Sequence, residues 1–104
     1  MSTENVAFEI ISLSGNAKAE LQKALKLVHE GEFDRAQDLI VKADEELRKA
    51  HELQTQELLI REANGEKLSF NVLISHAQDY LMTTYIFKDM VEEICTLYKV
   101  IKNK

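Results

Sequence analysis

The sequence predicts an all-α protein, an antiparallel up-down-up bundle of three helices. The chain of 104 residues contains no proline and only three glycines, which favours long uninterrupted helices. Apolar residues recur at steps of three and four, the period of an α-helix, and the alternating pattern typical of strands is absent. Gly31 and Gly65 fall where periodic segments end. Because both connections are short, consecutive helices must run antiparallel, and residues 1–104 are interpreted as one domain.

The first helix is predicted to begin near Thr3, an acceptable N-cap, with Glu4 placed favourably for the helix dipole. It ends before Gly31, where a left-handed residue closes a helix. Gly15 lies inside it at a cost of about 1 kcal/mol relative to alanine. We therefore expect either a bend or the close approach of another backbone there. His29 lies in the last turn and is expected at the surface.

The second helix is predicted from Phe33 or Asp34 to about Ala63. His51 borders its apolar stripe and is expected to pack there with its imidazole satisfied. Gln54 lies within the stripe, and a buried amide needs hydrogen-bond partners. We therefore expect Gln54 to reach a polar group on the third helix or on another subunit. The stripe consists of Ala36, Leu39, Ile40, Ala43, Leu47, Ala50, Gln54 and Leu58.

The third helix is predicted to have Ser69 as its N-cap, with Leu68 and Leu73 at the spacing of a hydrophobic staple. Between Phe70 and Ile101 it carries two apolar stripes. The first stripe consists of Phe70, Leu73, Ala77, Leu81, Thr84, Val91, Cys95 and Tyr98, interrupted by Lys88. The second stripe consists of His76, Asp79, Thr83, Ile86, Met90, Ile94, Leu97 and Ile101. One stripe suffices for the core of a monomer, so the second is predicted to be buried against another copy of the chain.

Composition excludes several classes of partner. A net charge of −5 argues against binding a nucleic-acid backbone or a membrane surface through basic residues. No apolar run approaches the roughly 20 residues that span a bilayer, and no signal peptide is recognisable, so a cytoplasmic location without membrane insertion is predicted. Cys95 is the single cysteine, which fits a reducing compartment, and its place in the first stripe indicates a buried thiol.

His76 and Asp79, three residues apart on one helix face, are the candidates for chemistry. They could form a satisfied polar pair, contribute to a metal site, or include a nucleophilic histidine that holds a phosphoryl group. Two ligands are too few for zinc, and spacing alone does not choose among the three. The chain has no glycine-rich phosphate loop and no H-E-x-x-H or G-x-S-x-G motif, which argues against a self-contained kinase or hydrolase.

One block on the third helix, His76-Ala77-Gln78-Asp79 followed by Leu81-Met82-Thr83, resembles the lactose/cellobiose family of enzyme IIA components of the bacterial phosphotransferase system. The likeness covers nearly the whole chain. It also includes Leu97-Tyr98-Lys99, Gly65-Glu66, Ala50-His51 with Gln54-Thr55, Glu30-Gly31-Glu32-Phe33 and Ser14-Gly15-Asn16-Ala17.

The resemblance implies a homotrimer of three-helix protomers, a nine-helix assembly. It implies a phosphotransferase component in which His76 accepts phosphate from phospho-HPr and passes it to a cysteine of the cognate enzyme IIB. Membrane enzyme IIC then delivers a phosphorylated sugar. It further implies that three copies of Asp79 share one Mg²⁺ ion on the trimer axis.

The sequence departs from the commonest family pattern at Tyr80, where many members carry a second histidine. The tyrosine hydroxyl is one possible hydrogen-bond donor in its place. Nothing on the chain identifies the sugar, which is expected to be a β-linked disaccharide such as cellobiose, lactose or chitobiose. The alternative function is a non-catalytic helical oligomerisation or adaptor module, in which His76 and Asp79 form a buried polar pair that fixes register.

Overall fold

Three long helical rods pack side by side in the structure, a computed structural model that describes residues 1–104. Its dimensions are 56 × 19 × 19 Å. No strand is present, and α1 contacts both of the other rods. The all-helical, three-helix architecture predicted from the sequence is therefore confirmed. The elements are α1 (Thr3–His29), α2 (Phe33–Gln54), a π-helical segment (Thr55–Leu59), the short α3 (Ile60–Ala63) and α4 (Val72–Lys102).

A core of 19 buried apolar residues runs along the bundle. The second helix buries its predicted stripe except for Leu39, which is half-buried. The first stripe of α4 is buried through its middle, and Cys95 is a buried free thiol as predicted. Its two ends were predicted wrongly, because Phe70 is 78% exposed and Tyr98 is 39% exposed. Ile74, outside the predicted stripe, is buried instead. None of the helices combines the length and apolar character that crossing a membrane requires.

The second stripe of α4 lies on the outside of the bundle. Four of its large apolar members, Ile86, Met90, Leu97 and Ile101, are each more than half exposed, whereas Ile94 is half-buried. A helix with one covered and one open apolar face has surface left for another molecule to bury.

Two glycines end helices in the predicted places. Gly31 and Gly65 have φ angles of 79° and 92°, which favour a residue without Cβ. After each, an amide N–H returns to the last helical turn: Glu32 donates to the Leu27 carbonyl at 2.9 Å, and Glu66 donates to the Arg61 carbonyl at 3.1 Å. These are the hydrogen bonds of Schellman caps, and they satisfy carbonyls that the helix leaves free.

The N-caps of α1 and α4 differ from the predicted residues by one and two positions, respectively. Ser2, not Thr3, caps α1, because its hydroxyl accepts a hydrogen bond from the Asn5 N–H at 3.1 Å. Asn71, not Ser69, caps α4, because its side-chain oxygen accepts from the Ile74 N–H at 3.0 Å. Leu68 and Leu73 consequently do not occupy staple positions around the cap, although both are half-buried against the core.

The π-helical segment explains how the second rod keeps one face on the core to its end. Ala50, Gln54 and Leu58 are all buried, although they are separated by two successive steps of four. In a regular helix of 3.6 residues per turn, Leu58 would be rotated by about 80° from Ala50 around the helix axis. The extra residue that a π turn accommodates brings Leu58 back to the same face.

Lys88 fills the gap in the first stripe of α4 by forming ion pairs. Its ammonium lies 3.0 Å from Asp44 on α2 and 3.4 Å from Glu92, and Arg48 also contacts Asp44 at 2.8 Å. Burial disfavours the charged lysine, but the hydrogen bond and charge of Asp44, with those of Glu92, outweigh it and raise the pKa of Lys88. The ion pairs thus link α2 to α4 within an otherwise apolar contact.

Glu20 on α1 and Glu46 on α2 form a second charged contact, between like charges. One carboxylate oxygen of each is buried without a hydrogen-bond partner. Burial raises the pKa of Glu46, and the adjacent Glu20 carboxylate raises it further. Lys42 lies 3.5 Å from Glu20 and offsets part of the repulsion.

We predict that Glu46→Gln stabilises the protein at pH 7. Because the folded-state pKa of Glu46 is raised, the carboxyl favours folding below its unfolded-state pKa, and this contribution is lost as pH rises through the folded-state value. Glu46→Gln should raise Tm by a few degrees at pH 7 and by progressively less toward pH 4. Thermal melts across this range test it, with the exposed neighbour Glu45→Gln as control. A lower Tm for Glu46→Gln at pH 7 would contradict the assignment.

Candidate functional site

His76 lies in the second turn of α4 and is exposed. Its position is well defined because Ile74 and Ala77 on either side are buried in the core. The Asn71 cap fixes where the helix starts and therefore which face His76 occupies. The imidazole forms no side-chain hydrogen bond or ion pair within the chain, including with Asp79. Within a single chain, His76 and Asp79 are thus not a satisfied buried pair.

Asp79 is exposed on the same stripe, one turn along the helix. The hydroxyl of Thr83 donates to the Asp79 backbone carbonyl at 2.9 Å. The Asp79 carboxylate itself has no partner. The chain brings together no group of three or more His, Cys, Asp or Glu side chains that could hold a metal ion. One chain therefore contributes a single carboxylate here, and any metal site on this face needs ligands from other molecules.

Tyr80 packs against the imidazole of His76. The two rings are stacked, with centroids 5.8 Å apart and an interplanar angle of 23°. A Cβ placed at Gly15 on α1 would lie 3.5 Å from the Tyr80 hydroxyl oxygen, and the Lys18 ammonium lies 5.7 Å from the centre of the Tyr80 ring. Gly15 was expected to mark a bend or a close backbone contact, but the group that lies closest to its Cβ position is this side chain, at ordinary contact distance. The sequence pattern of α4 could not identify this contact with α1.

The prediction that Gln54 reaches a polar group on the third helix is confirmed. Gln54 is buried, and its amide nitrogen donates to the side-chain oxygen of Gln78 on α4 at 3.2 Å. Gln78 is two residues from His76, so the end of α2 is linked by a hydrogen bond to the helical turn that carries the histidine. The π-helical segment begins immediately after Gln54.

The other two histidines are in different settings. His29 is exposed as predicted, 5.5 Å from the ring of Tyr98. His51 was expected to pack in the second helix but is exposed, with an edge contact to Tyr85 at 6.0 Å. Its position at the border of the stripe places it just outside the core.

The site consists of one exposed imidazole on a firmly anchored helix turn, beside an aromatic ring and an unpartnered carboxylate. No base or carboxylate of the same chain orients or activates the histidine. The imidazole is therefore open to approach by another molecule.

Comparison with known proteins gives this site its context. A sequence model described as "PTS system, Lactose/Cellobiose specific IIA subunit" matches residues 5–99. The chain belongs to this family. The resemblance carried by His76-Ala77-Gln78-Asp79 is thereby confirmed at the level of the family, and the chain is a phosphotransferase-system component of the IIA type.

Relatives and solved structures of the family agree with this assignment. The chain is 42% identical over 94 residues to a lactose-specific EIIA component from Lactococcus lactis, covering 90% of this chain and 89% of that protein. A crystal structure of the cellobiose-specific enzyme IIA from Bacillus anthracis superposes with a TM-score of 0.94 at 38% identity, covering 100% of this chain and 94% of that one. The IIA(Chitobiose) of an Escherichia coli complex with HPr superposes with a TM-score of 0.80 at 26% identity, covering 98% of both chains.

Proposed function

We propose that this chain is a cytoplasmic phosphoryl carrier, in which His76 accepts phosphate from phospho-HPr and donates it to a cysteine of its cognate enzyme IIB. The observation that carries the proposal is the imidazole itself, which is exposed, unpartnered and held by a well-packed helix turn of a IIA-family chain. The complex with HPr formed by the E. coli IIA relative supports HPr as the donor.

The transfer is a pair of displacements at phosphorus. In the first, the lone pair of a His76 ring nitrogen forms an N–P bond as the N–P bond to the HPr histidine breaks, and that bond's electron pair returns to the HPr imidazole. In the second, the IIB cysteine thiolate forms an S–P bond as the bond to His76 breaks. No net oxidation or hydrolysis occurs. The sugar is phosphorylated downstream at membrane enzyme IIC.

Both displacements depend on positioning more than on acid–base groups. An exposed nucleophile on a convex helical surface can be approached in turn by two different partners. The absence of a same-chain base beside His76 suits this role, because the leaving and entering groups both come from partner proteins. The apolar side chain of Leu73, one turn before His76 on α4, would limit the access of water to the phosphohistidine.

The substrate class of the complete pathway is a β-linked disaccharide. The relatives named above are lactose-, cellobiose- and chitobiose-specific. Because the carrier transfers phosphate and does not bind sugar, selectivity among these belongs to IIB and IIC.

We predict that His76→Ala abolishes phosphate acceptance while preserving the helical fold. Alanine is a good helix former, and the imidazole makes no core contacts that its removal would cost. The measurement is transfer of labelled phosphate from phospho-HPr, followed by identification of the labelled residue. His29→Ala and His51→Ala serve as matched controls and should retain the label. Labelling of His76→Ala, or its loss in His51→Ala, would refute the role of His76.

The open second stripe supports assembly as a homotrimer with α4 at the centre. Four large apolar side chains on one helix face are too much apolar surface to leave in water along a single rod. A threefold arrangement of α4 helices covers the apolar part of this face on every copy and closes the assembly, with His76 at the edge of the subunit boundary and open to HPr and IIB.

We predict that light scattering at micromolar concentration gives close to three times the mass of one chain. Met90→Lys, which places a charge in the middle of the second stripe, should dissociate the assembly. Asp89→Lys, on the adjacent exposed position, is the matched control and should leave the mass unchanged. A wild-type monomer throughout this concentration range would exclude the trimer.

Asp79 is proposed to bind Mg²⁺ on the trimer axis together with the Asp79 side chains of the two other copies. Its carboxylate is exposed, has no ion-pair partner in its own chain and lies on the stripe that the assembly would bury. Three such carboxylates brought together would repel, and burial would add a desolvation cost. Oxygen ligands of this kind fit a hard divalent cation, which would neutralise their charge and link the three copies.

We predict that removing Mg²⁺ with a chelator lowers the Tm of the wild type by several degrees. An ion that binds only the assembled state stabilises it by mass action. Asp79→Leu should melt at the same temperature with and without Mg²⁺, because both the repulsion and the ligand are gone. The measurement is four thermal melts, of the wild type and of Asp79→Leu, each with Mg²⁺ and with chelator. Equal sensitivity to chelator in both proteins would place any metal elsewhere.

A further inference from the structure

Each of the three histidines lies beside a tyrosine of α4. Their ring geometries differ. The planes of His29 and Tyr98 are tilted by 38°, and those of His51 and Tyr85 meet edge-on at 81°. His76 and Tyr80 alone approach a parallel stack, at 23°. The one histidine with a proposed chemical role is thus the one whose ring faces an aromatic plane.

Spacing along the helix explains why these rings can meet. His76 and Tyr80 are four residues apart on α4, so their side chains lie on the same helical face. Spacing alone does not hold a ring in a fixed orientation, because rotation of a histidine about its Cβ–Cγ bond is broad and only weakly restricted. A fixed stack needs a tyrosine that is itself immobilised.

Tyr80 lies against helix α1. Its hydroxyl oxygen lies 3.5 Å from where a Cβ of Gly15 would be, an ordinary contact distance. Lys18, one turn further along α1, places its ammonium 5.7 Å from the centre of the Tyr80 ring. Tyr80 is accordingly half-buried although its neighbour His76 is exposed.

We propose that Tyr80, seated against Gly15 and Lys18 of α1, is a positioning residue that orients the His76 imidazole for phosphoryl transfer. The inference rests on the proposed function of His76. Stacking restricts rotation of the imidazole about Cβ–Cγ and keeps its ring nitrogens at the edge of the stack, where a partner can reach them. The hydroxyl of Tyr80 points toward α1, so the aromatic face and not the phenolic proton carries the effect.

The orienting effect is largest in the in-line attack, which tolerates little angular error. A freely rotating imidazole spends only part of its time with a nitrogen directed at the incoming phosphorus. We therefore expect loss of the stack to slow phosphate acceptance about tenfold, on the order that modest misalignment costs. Loss of the hydroxyl alone should change the rate less than about twofold by the same reasoning.

The test compares three variants of the full chain with the wild type. Tyr80→Phe retains the aromatic face, Tyr80→Leu removes it, and Tyr98→Leu is the matched control at another histidine–tyrosine pair. Phosphate acceptance is measured as a single-turnover rate with phospho-HPr. The carbon-bound ring protons of His76 are followed by NMR, because a stacked phenol shifts them upfield. Wild-type rate and shift in Tyr80→Phe, with both lost in Tyr80→Leu and neither in Tyr98→Leu, are expected.

A second pair of variants tests the same contact from α1. Gly15→Ala adds only a Cβ at ordinary contact distance from Tyr80 and should leave the His76 shift and the rate unchanged. Gly15→Leu extends atoms into the space of the phenol and should reproduce the defect of Tyr80→Leu. Because Gly15→Leu alters a different helix, agreement between the two defects, at unchanged helicity, separates positioning from misfolding.

The outcomes distinguish this inference from the function on which it rests. Wild-type protein that takes no label on His76 overturns the phosphoryl-carrier role. Wild-type protein that is labelled, with Tyr80→Leu accepting phosphate equally fast, overturns the positioning role alone. A slow Tyr80→Leu variant whose His76 ring shift is unchanged would likewise refute orientation by stacking.

Discussion

Helix α4 has two apolar faces, and a bundle of three helices covers only one of them. The inner face, centred on Ala77, Leu81 and Val91, is where α1 and α2 pack, and it fixes the rotation of α4 about its axis. The outer face is left in solvent with His76 and Asp79 at its beginning. Because core packing sets that rotation, the histidine proposed to carry phosphate cannot turn inward without unpacking the bundle. The proposed chemistry and the proposed assembly therefore share a surface that the hydrophobic core holds in place.

Polar residues in the contacts on the inner face fix how α2 and α4 are aligned along their lengths. Apolar packing alone would allow several alignments. Lys88 and Asp44 pair across α4 and α2, and Gln54 pairs with Gln78 farther along the same two rods. A slide of one helix past the other would leave these groups buried and unpaired, which costs more than the contacts contribute. The Gln54–Gln78 pair lies within the helical segment that carries His76 and Tyr80. The position of the site thus depends on contacts that the opposite side of α4 makes with α2.

Much of this could be predicted from the sequence, because it depends on periodicity and on residues with one strong conformational preference. Gly31 and Gly65 marked the helix ends, and the stripe of α2 identified both its core and the need of Gln54 for a partner. The start of α4 was harder, since Ser69 and Asn71 are equally good caps and only the backbone conformation selects one. The contact between Tyr80 and Gly15 joins residues far apart in the chain, and no pattern within one helix predicts it. His51 lay at the edge of a stripe, where a small helix rotation decides between core and solvent.

The π-helical segment is also a place where this chain can lose one residue. Between Thr55 and Leu59 the rod already holds one residue more than a regular helix would. Losing a residue there would restore ordinary α-helical geometry, while the Ala50 end of the rod could stay in its packing register. The residues beyond would keep their present faces, because the π turn already absorbs the extra residue, and Arg61 would still hydrogen-bond to Glu66 and to the Met1 carbonyl. This single turn is therefore the place where the loss of one residue would be absorbed with both the bundle and its connection to α4 intact.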